Sequence, residues 1–363
     1  MINRLGSATM PLSVPVVWSD QCLLHEPGGE VWIGVPIPGD EVPERATRIR
    51  EALVAAGTPV VEALPHPDDA VLAVHDAPLV EFLRTAWERW EEAGYPVDPG
   101  QNRVVSYIYP HPGLVDRWQP LVPESAAART GLFCFDTMTP IGPGTWQAAR
   151  AAVDCALTAC DLVLGGAPSA YACVRPPGHH VTRTAYGGSC YLNNAAIAAE
   201  YLRDHGLERV AIVDLDAHHG NGAQSIYWDR DDVFTASVHV NPEAGWFPHF
   251  LGTERESSET NLNVTLSPHA GDEGWLAAVG RTVDATRAFG ADAVVVGLGV
   301  DAAAVDTESP LDVTPAGFRE AGRLVGRVGL PTVVVQEGGY DLAAIGGLVL
   351  ATLEGIEEGL REL

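Results

Sequence analysis

An acid, an imidazole and a turn opened by glycines stand together in Asp214-Leu215-Asp216-Ala217-His218-His219-Gly220-Asn221-Gly222. Asp216 and His218 are two residues apart, so on an extended chain their side chains leave from the same face. A carboxylate oxygen and an imidazole nitrogen converging in that way suit a divalent metal such as Zn²⁺. An acidic strand end with histidines in a solvated loop is the other reading of this stretch alone. Three further stretches carry residues of the same chemical kind: Arg175-Pro176-Pro177-Gly178-His179-His180, Gly297-Leu298-Gly299-Val300-Asp301 and Gln336-Glu337-Gly338-Gly339-Tyr340. Singly, a histidine pair is commonly a surface feature, an Asp after a strand a cap, and Gly-Gly-Tyr a packing turn. Four of them, each following an apolar run, are hard to explain by chance.

Each stretch needs an element to deliver it. Residues 209–213 are apolar and β-branched, as expected of a buried parallel strand, and 170–174, 293–299 and 332–336 read the same way. Strands are also expected at 14–18, 59–61 and 233–238, with a Gly/Pro-rich loop around 36–39. Helical spacing marks 43–56, 76–93, 143–161, 191–205, 272–289, 315–328 and 341–363. Strand–helix alternation of this kind means an α/β fold, a mostly parallel sheet covered by helices on both faces. Ligands of such a sheet sit at the carboxyl ends of its strands, where the four stretches fall. No internal repeat or low-complexity segment interrupts the pattern, so residues 1–363 read as a single domain. Residues 95–141 lack a clear period; a long irregular segment inside a compact domain points to loops rimming a site or an oligomer contact.

Composition narrows the function classes. The formal charge of −26 argues against nucleic acid as partner, because phosphate binding needs clustered cations; it would favour cationic ligands, with plain solubility the other explanation. All 22 basic residues are arginine; without lysine the chain has no Schiff-base residue and no Walker A loop. Six cysteines with no CxxC pair fit a reduced, cytoplasmic setting. Residues Met1 to Met10 lack the pattern of a signal peptide, and no apolar run approaches the ~20 residues a membrane span requires.

With these motifs in place, the chain resembles the zinc-dependent deacetylases of the arginase-like fold, which include histone deacetylases and bacterial acetylpolyamine amidohydrolases. The resemblance runs from the helix at Ala77 to the C-terminus. Ala86-Trp87-Glu88-Arg89-Trp90, Pro143-Gly144-Thr145-Trp146 and Phe247-Pro248-His249-Phe250-Leu251-Gly252 look like the bacterial amidohydrolase branch. The resemblance implies that Asp216, His218 and Asp301 hold Zn²⁺, with Fe²⁺ able to use the same ligands. It implies that His180 moves the proton of the attacking water, that His179 assists it, and that Tyr340 donates to the oxyanion. Asp214 would bond His179 and Asn221 would bond His180, while Asp214, Asp216 and Ser237 match a structural potassium site.

The substrate implied is a small-molecule acylated amine, an acetylpolyamine first. An N-acetylated intermediate of specialised metabolism, or acetyl-lysine, is the alternative. A homologue that binds without catalysis and an arginase-type ureohydrolase are the remaining rivals. Gly188 lies on the channel wall, but Ser189 stands where the family usually has a bulky aromatic, so one side should be wider. Glu308, seven residues after Asp301, matches an acidic gatekeeper that reads polyamines; an exposed loop carboxylate is the plain alternative. As in bacterial relatives, residues 95–141 would pack against a second subunit as a homodimer, with Tyr107, Tyr109 and Trp118 as anchors.

Overall fold

The computed structural model describes residues 12–363, so the expectation for Met1 to Met10 lies outside the described residues. In chain order the strands are β1 (Val16–Trp18), β2 (Glu30–Trp32), β3 (Val35–Ile37), β4 (Val60–Glu62), β5 (Ser169–Ala172), β6 (Val210–Asp214), β7 (Val233–Val240), β8 (Asn261–Leu266), β9 (Ala293–Leu298) and β10 (Thr332–Gln336). Eight of them form one sheet in the order β4-β1-β5-β10-β9-β6-β7-β8, and every pairing in it is parallel. The strands β6, β9 and β10 are buried along their whole length, as expected where helices cover both faces. Successive side chains feed opposite cores: Val295, Val333 and Val335 pack on one side, Val294, Val296 and Val334 on the other. The expected α/β architecture is the observed one.

The helices Thr145–Leu164 and Asn194–Asp204 pack on the first face. Glu44–Ala55, Asp272–Phe289, Pro315–Gly326 and Ile345–Arg361 cover the second. Glycines permit the closest helix contact: a Cβ on Gly322 or Gly355 would stand 2.1 or 1.9 Å from a backbone oxygen of the facing helix.

Two local expectations needed correction, and one strand had no expectation at all. Around residues 36–39 the chain forms not a plain loop but the antiparallel hairpin β2–β3. Its strands are three residues long and largely exposed, so they carry no burial pattern to read. Strand β8 was unread because Asn261 and Asn263, both buried, break its apolar run. Within 95–141 there are two short helices, Pro112–Val115 and Ala126–Phe133; the second is capped by Ser125, whose hydroxyl accepts the Ala128 N–H.

Candidate active site

The ladder β5-β10-β9-β6 brings the four chemistry-bearing stretches to one edge. Asp214 pairs in register with Gly297, and Leu298 with Gln336, so the turns after β6, β9 and β10 leave the sheet side by side. His218 Nδ1 lies 3.1 Å from Asp216 Oδ1 and 2.9 Å from Asp301 Oδ2. One donor atom from each of the three residues falls within 4.8 Å of the other two. Glycines make the room. A Cβ on Gly299 would stand 2.1 Å from Asp216 Oδ2, and one on Gly338 would meet both Asp216 and Asp301 within 2.8 Å.

This set fits a divalent metal. Asp216 and Asp301 are fully buried carboxylates with no arginine among the described residues against them. Burial, then the charge of Asp216, pushes Asp301 up to about 7. Two like charges held so close in a dry place call for a cation. The two-oxygen, one-nitrogen set suits Zn²⁺ or Fe²⁺.

The histidine pair stands beside it, ring centroids 4.0 Å apart. His179 Nδ1 is 2.9 Å from Asp214 Oδ2, and His180 Nδ1 is 2.6 Å from Asn221 Oδ1. The two imidazoles are thereby set apart. Burial opposes charge on His179, but Asp216 and Asp214 outweigh it and push the ring up to about 10. Burial, then the neighbouring rings of His179 and His218, drives His180 well below the ordinary range and keeps it neutral. Tyr340 lines the same cavity, with the Arg45 guanidinium 4.5 Å from its ring centroid. Its N–H donates to Asp306 Oδ2 at 2.6 Å, which holds the turn. Burial pushes the phenol well above its usual range, so it stays a donor.

The cavity measures about 320 Å³. Gly188, Ser189 and Glu308 are among its lining residues, and the wall is richer than the sequence suggested. Glu30 and Asp40, brought in by the β2–β3 hairpin and the segment after it, join Glu308 at the rim. Burial, then Glu308 and Asp40, pushes Glu30 up to about 8; burial, then Asp40, pushes Glu308 up to about 7. Asp136 also faces the cavity, but its carboxylate is taken up by the N–H groups of Met138, Thr139 and Gly188. Phe247 supplies an aromatic wall, its ring 4.8 Å from His180 and 6.5 Å from Phe135. The missing aromatic at Ser189 therefore opens only one side. Ser189 itself holds φ +60°, a left-handed conformation uncommon outside glycine.

Two neighbouring residues point elsewhere. His219 turns away from the cavity and bonds Gln224 and Asn263, each at 3.1 Å. Ser237, opposite Asp214 in the β6–β7 register, accepts the Gly220 N–H at 3.2 Å and contacts His239 Nδ1 at 2.8 Å.

A family model described as "Histone deacetylase domain" matches residues 40–356. The acetylpolyamine amidohydrolase of Mycoplana ramosa is 38% identical over 347 residues, which cover 94% of this chain and 99% of that protein. Acetylpolyamine amidohydrolase 1 of Pseudomonas aeruginosa is 37% identical over 351 residues, covering 95% and 99%. The crystal structure of acetylpolyamine aminohydrolase from Burkholderia pseudomallei superposes with a TM-score of 0.89 at 34% identity, covering 96% of this chain and 99% of that one.

Proposed function

This chain belongs to the histone deacetylase family, and from that premise we propose that its substrate is a small acetylated amine with a distal positive charge, an acetylpolyamine first. It is an amide hydrolase that deacetylates an acetylated amine. Neither a ureohydrolase nor a catalytically silent homologue is favoured by relatives named for amide hydrolysis.

The observation that carries the substrate assignment is the rim: Glu30, Asp40 and Glu308 line a cavity to which, among the described residues, no arginine contributes. A cation entering there meets carboxylates, while its acetamide reaches toward Asp216, His218, His180 and Tyr340. A screen of acetylated diamines, neutral acetamides of equal length and acetyl-lysine peptides tests it. Equal turnover of charged and neutral small amides would remove the polyamine reading.

In this reading Asp216, His218 and Asp301 would hold the metal, Zn²⁺ by preference, and its chemistry there would be Lewis-acid polarisation of the amide carbonyl and a lowered pKa of water. The neutral His180 takes the proton of the attacking water and delivers it to the departing amine. The charge on His179, kept by Asp214, offsets the negative charge that develops beside it. Tyr340 donates its hydroxyl hydrogen to the carbonyl oxygen as that oxygen becomes anionic. Phe247 and Met138 keep the acyl end dry, which strengthens each of these interactions. A potassium ion bound near Asp214, Asp216 and Ser237 would brace the turn after β6.

The proposal extends to assembly and compartment. Trp32, Ile33, Tyr107, Leu114, Trp118 and Phe250 are exposed apolar side chains on the hairpin and the loops beyond it. Trp32 also lines the cavity. A second copy of the chain covering Trp32 and its exposed neighbours Ile33 and Val35 would narrow the mouth, which disfavours folded proteins as substrates. A cytoplasmic location accords with six free, buried cysteines. Among the described residues no helix is long and apolar enough to cross a membrane.

A further inference from the structure

The turn that closes β10 carries a buried acid that the chemistry above leaves unused. Glu337 is 1% exposed, and its side chain reaches away from its own turn to the loop after β5. One oxygen, Oε2, accepts the backbone N–H of Gly178 at 2.7 Å and that of His179 at 3.1 Å. Backbone groups of the same turn are tied in other directions. The Glu337 carbonyl accepts from Arg45 Nη2 at 2.6 Å, and the Gly339 carbonyl from Arg45 Nε at 2.5 Å. The Gly338 N–H donates to Asp216 Oδ2 at 2.8 Å.

The His179–His180 loop is gripped from behind as well. A Cβ on Gly178 would stand 2.3 Å from the Leu192 carbonyl, so the loop already rests on the chain that follows Cys190. Glu337 holds it from the other side. A buried carboxyl group costs free energy unless it is hydrogen-bonded, and among the described residues no arginine offsets this one, because Arg45 and Arg175 pair with Glu41. Its second oxygen, Oε1, has no partner among the described residues. The loop's two N–H groups need only an acceptor of this reach, charged or neutral. Burial pushes Glu337 up to about 8, which makes it a neutral carboxylic acid at neutral pH.

We infer that Glu337 is a positioning residue whose Oε2 fastens the His179–His180 loop to the turn bearing Tyr340, so that proton carrier and oxyanion donor keep a fixed spacing across the cavity. This rests on the deacetylase reading above. Misplacement of a reacting group by ~1 Å can cost about 10²-fold in rate.

The test uses metal-loaded full-length protein and two independent readouts. The first is hydrogen exchange in a peptide spanning residues 177–180, which reports on the strut whether or not turnover is measured. In Glu337→Ala the Gly178 and His179 amides should exchange at least tenfold faster; in Glu337→Gln, which keeps an acceptor of equal reach, they should stay protected. The second is steady-state turnover of an acetylated diamine. Glu337→Ala should lose about 10- to 100-fold in kcat with KM within twofold and metal content unchanged, and Glu337→Gln should recover to within about threefold of wild type. Glu337→Asp, one methylene shorter, should behave like the alanine variant and covers the case in which that variant does not fold. Wild-type exchange and kcat in both Glu337→Ala and Glu337→Asp would overturn the inference. So would a glutamine variant as impaired as alanine in both readouts. A wild-type protein inactive on every acetylated amine would count against the functional reading, while the exchange result would still decide the strut.

Discussion

Replacing the rim carboxylates should change which substrates are chosen and at which pH. Glu308→Leu and Glu30→Gln remove two of the three acids that face the entering amine. Opposite charges ~4 Å apart near a protein surface attract with ~4 kcal/mol before desolvation. Solvent screening at this open mouth leaves about 1–2 kcal/mol, roughly five- to thirtyfold in kcat/KM. With Glu30 pushed up to about 8 and Glu308 up to about 7, both are mainly protonated at pH 6 and mainly ionised at pH 9. The sign follows: carboxylates with raised pKa gain charge as pH rises through 7–8, so preference for a cation grows from pH 6 to pH 9. The assay is the ratio of kcat/KM for a mono-acetylated diamine to that for a neutral N-alkylacetamide of equal length. Titrations of the chemical step affect both substrates alike and cancel in the ratio. Wild type should climb about tenfold across this range, and each variant should flatten the climb. A ratio independent of pH in wild type, or unaltered in both variants, would refute the reasoning.

Four further outcomes follow from the geometry. Tyr340→Phe should keep its metal and lose ~10²–10³ in kcat, the usual cost of one oxyanion donor; wild-type turnover would sink the mechanism. Asp301→Ala should fail to retain metal in elemental analysis, and chelation should inactivate wild type until metal is restored. His75 is buried, bonded to the Thr182 carbonyl and the Asn193 N–H, and burial lowers it to about 4. It folds neutral and gains a proton more readily when unfolded, so its contribution to stability falls from pH 6.5 toward 4. The stability difference between wild type and His75→Gln in urea should therefore be about 2 kcal/mol smaller at pH 5 than at pH 7, and a pH-independent difference would contradict this. Light scattering at micromolar concentration should give a dimer, and Trp118→Glu should shift it toward monomer; a monomeric wild type would refute the assembly.

The catalytic floor was readable because parallel strands buried on both faces are uninterrupted apolar runs. Val210–Asp214, Ala293–Leu298 and Thr332–Gln336 each end where the chemistry begins, so motif and strand end coincide in sequence. The rim was not readable, since it is assembled by contacts far apart in the chain. Glu30 and Asp40 arrive on a hairpin with three-residue strands, and only the folded chain sets them beside Glu308. Phe247 stood in a quoted motif, but nothing in its spacing says that its ring meets His180. Of the His218-His219 pair the sequence assigned only the first a role, and the turn sends the second into a network of amides. Glu337 was visible as a letter, yet its direction depends on the register of β10 beside β5 and β9. A Gly-Gly that follows it suggested a turn and hid the strut.

The central claim is that this site hydrolyses the amide of an acetylated amine with a single metal held by Asp216, His218 and Asp301. The most direct measurement is proton NMR of metal-loaded protein incubated with a mono-acetylated diamine, read together with metal content per chain. The account predicts free amine and acetate in equal amounts, one metal per chain, and no acetate from the Asp301→Ala protein. Fully metal-loaded wild type that releases no acetate from any acetylated amine, or acetate release that persists undiminished in Asp301→Ala, would contradict it.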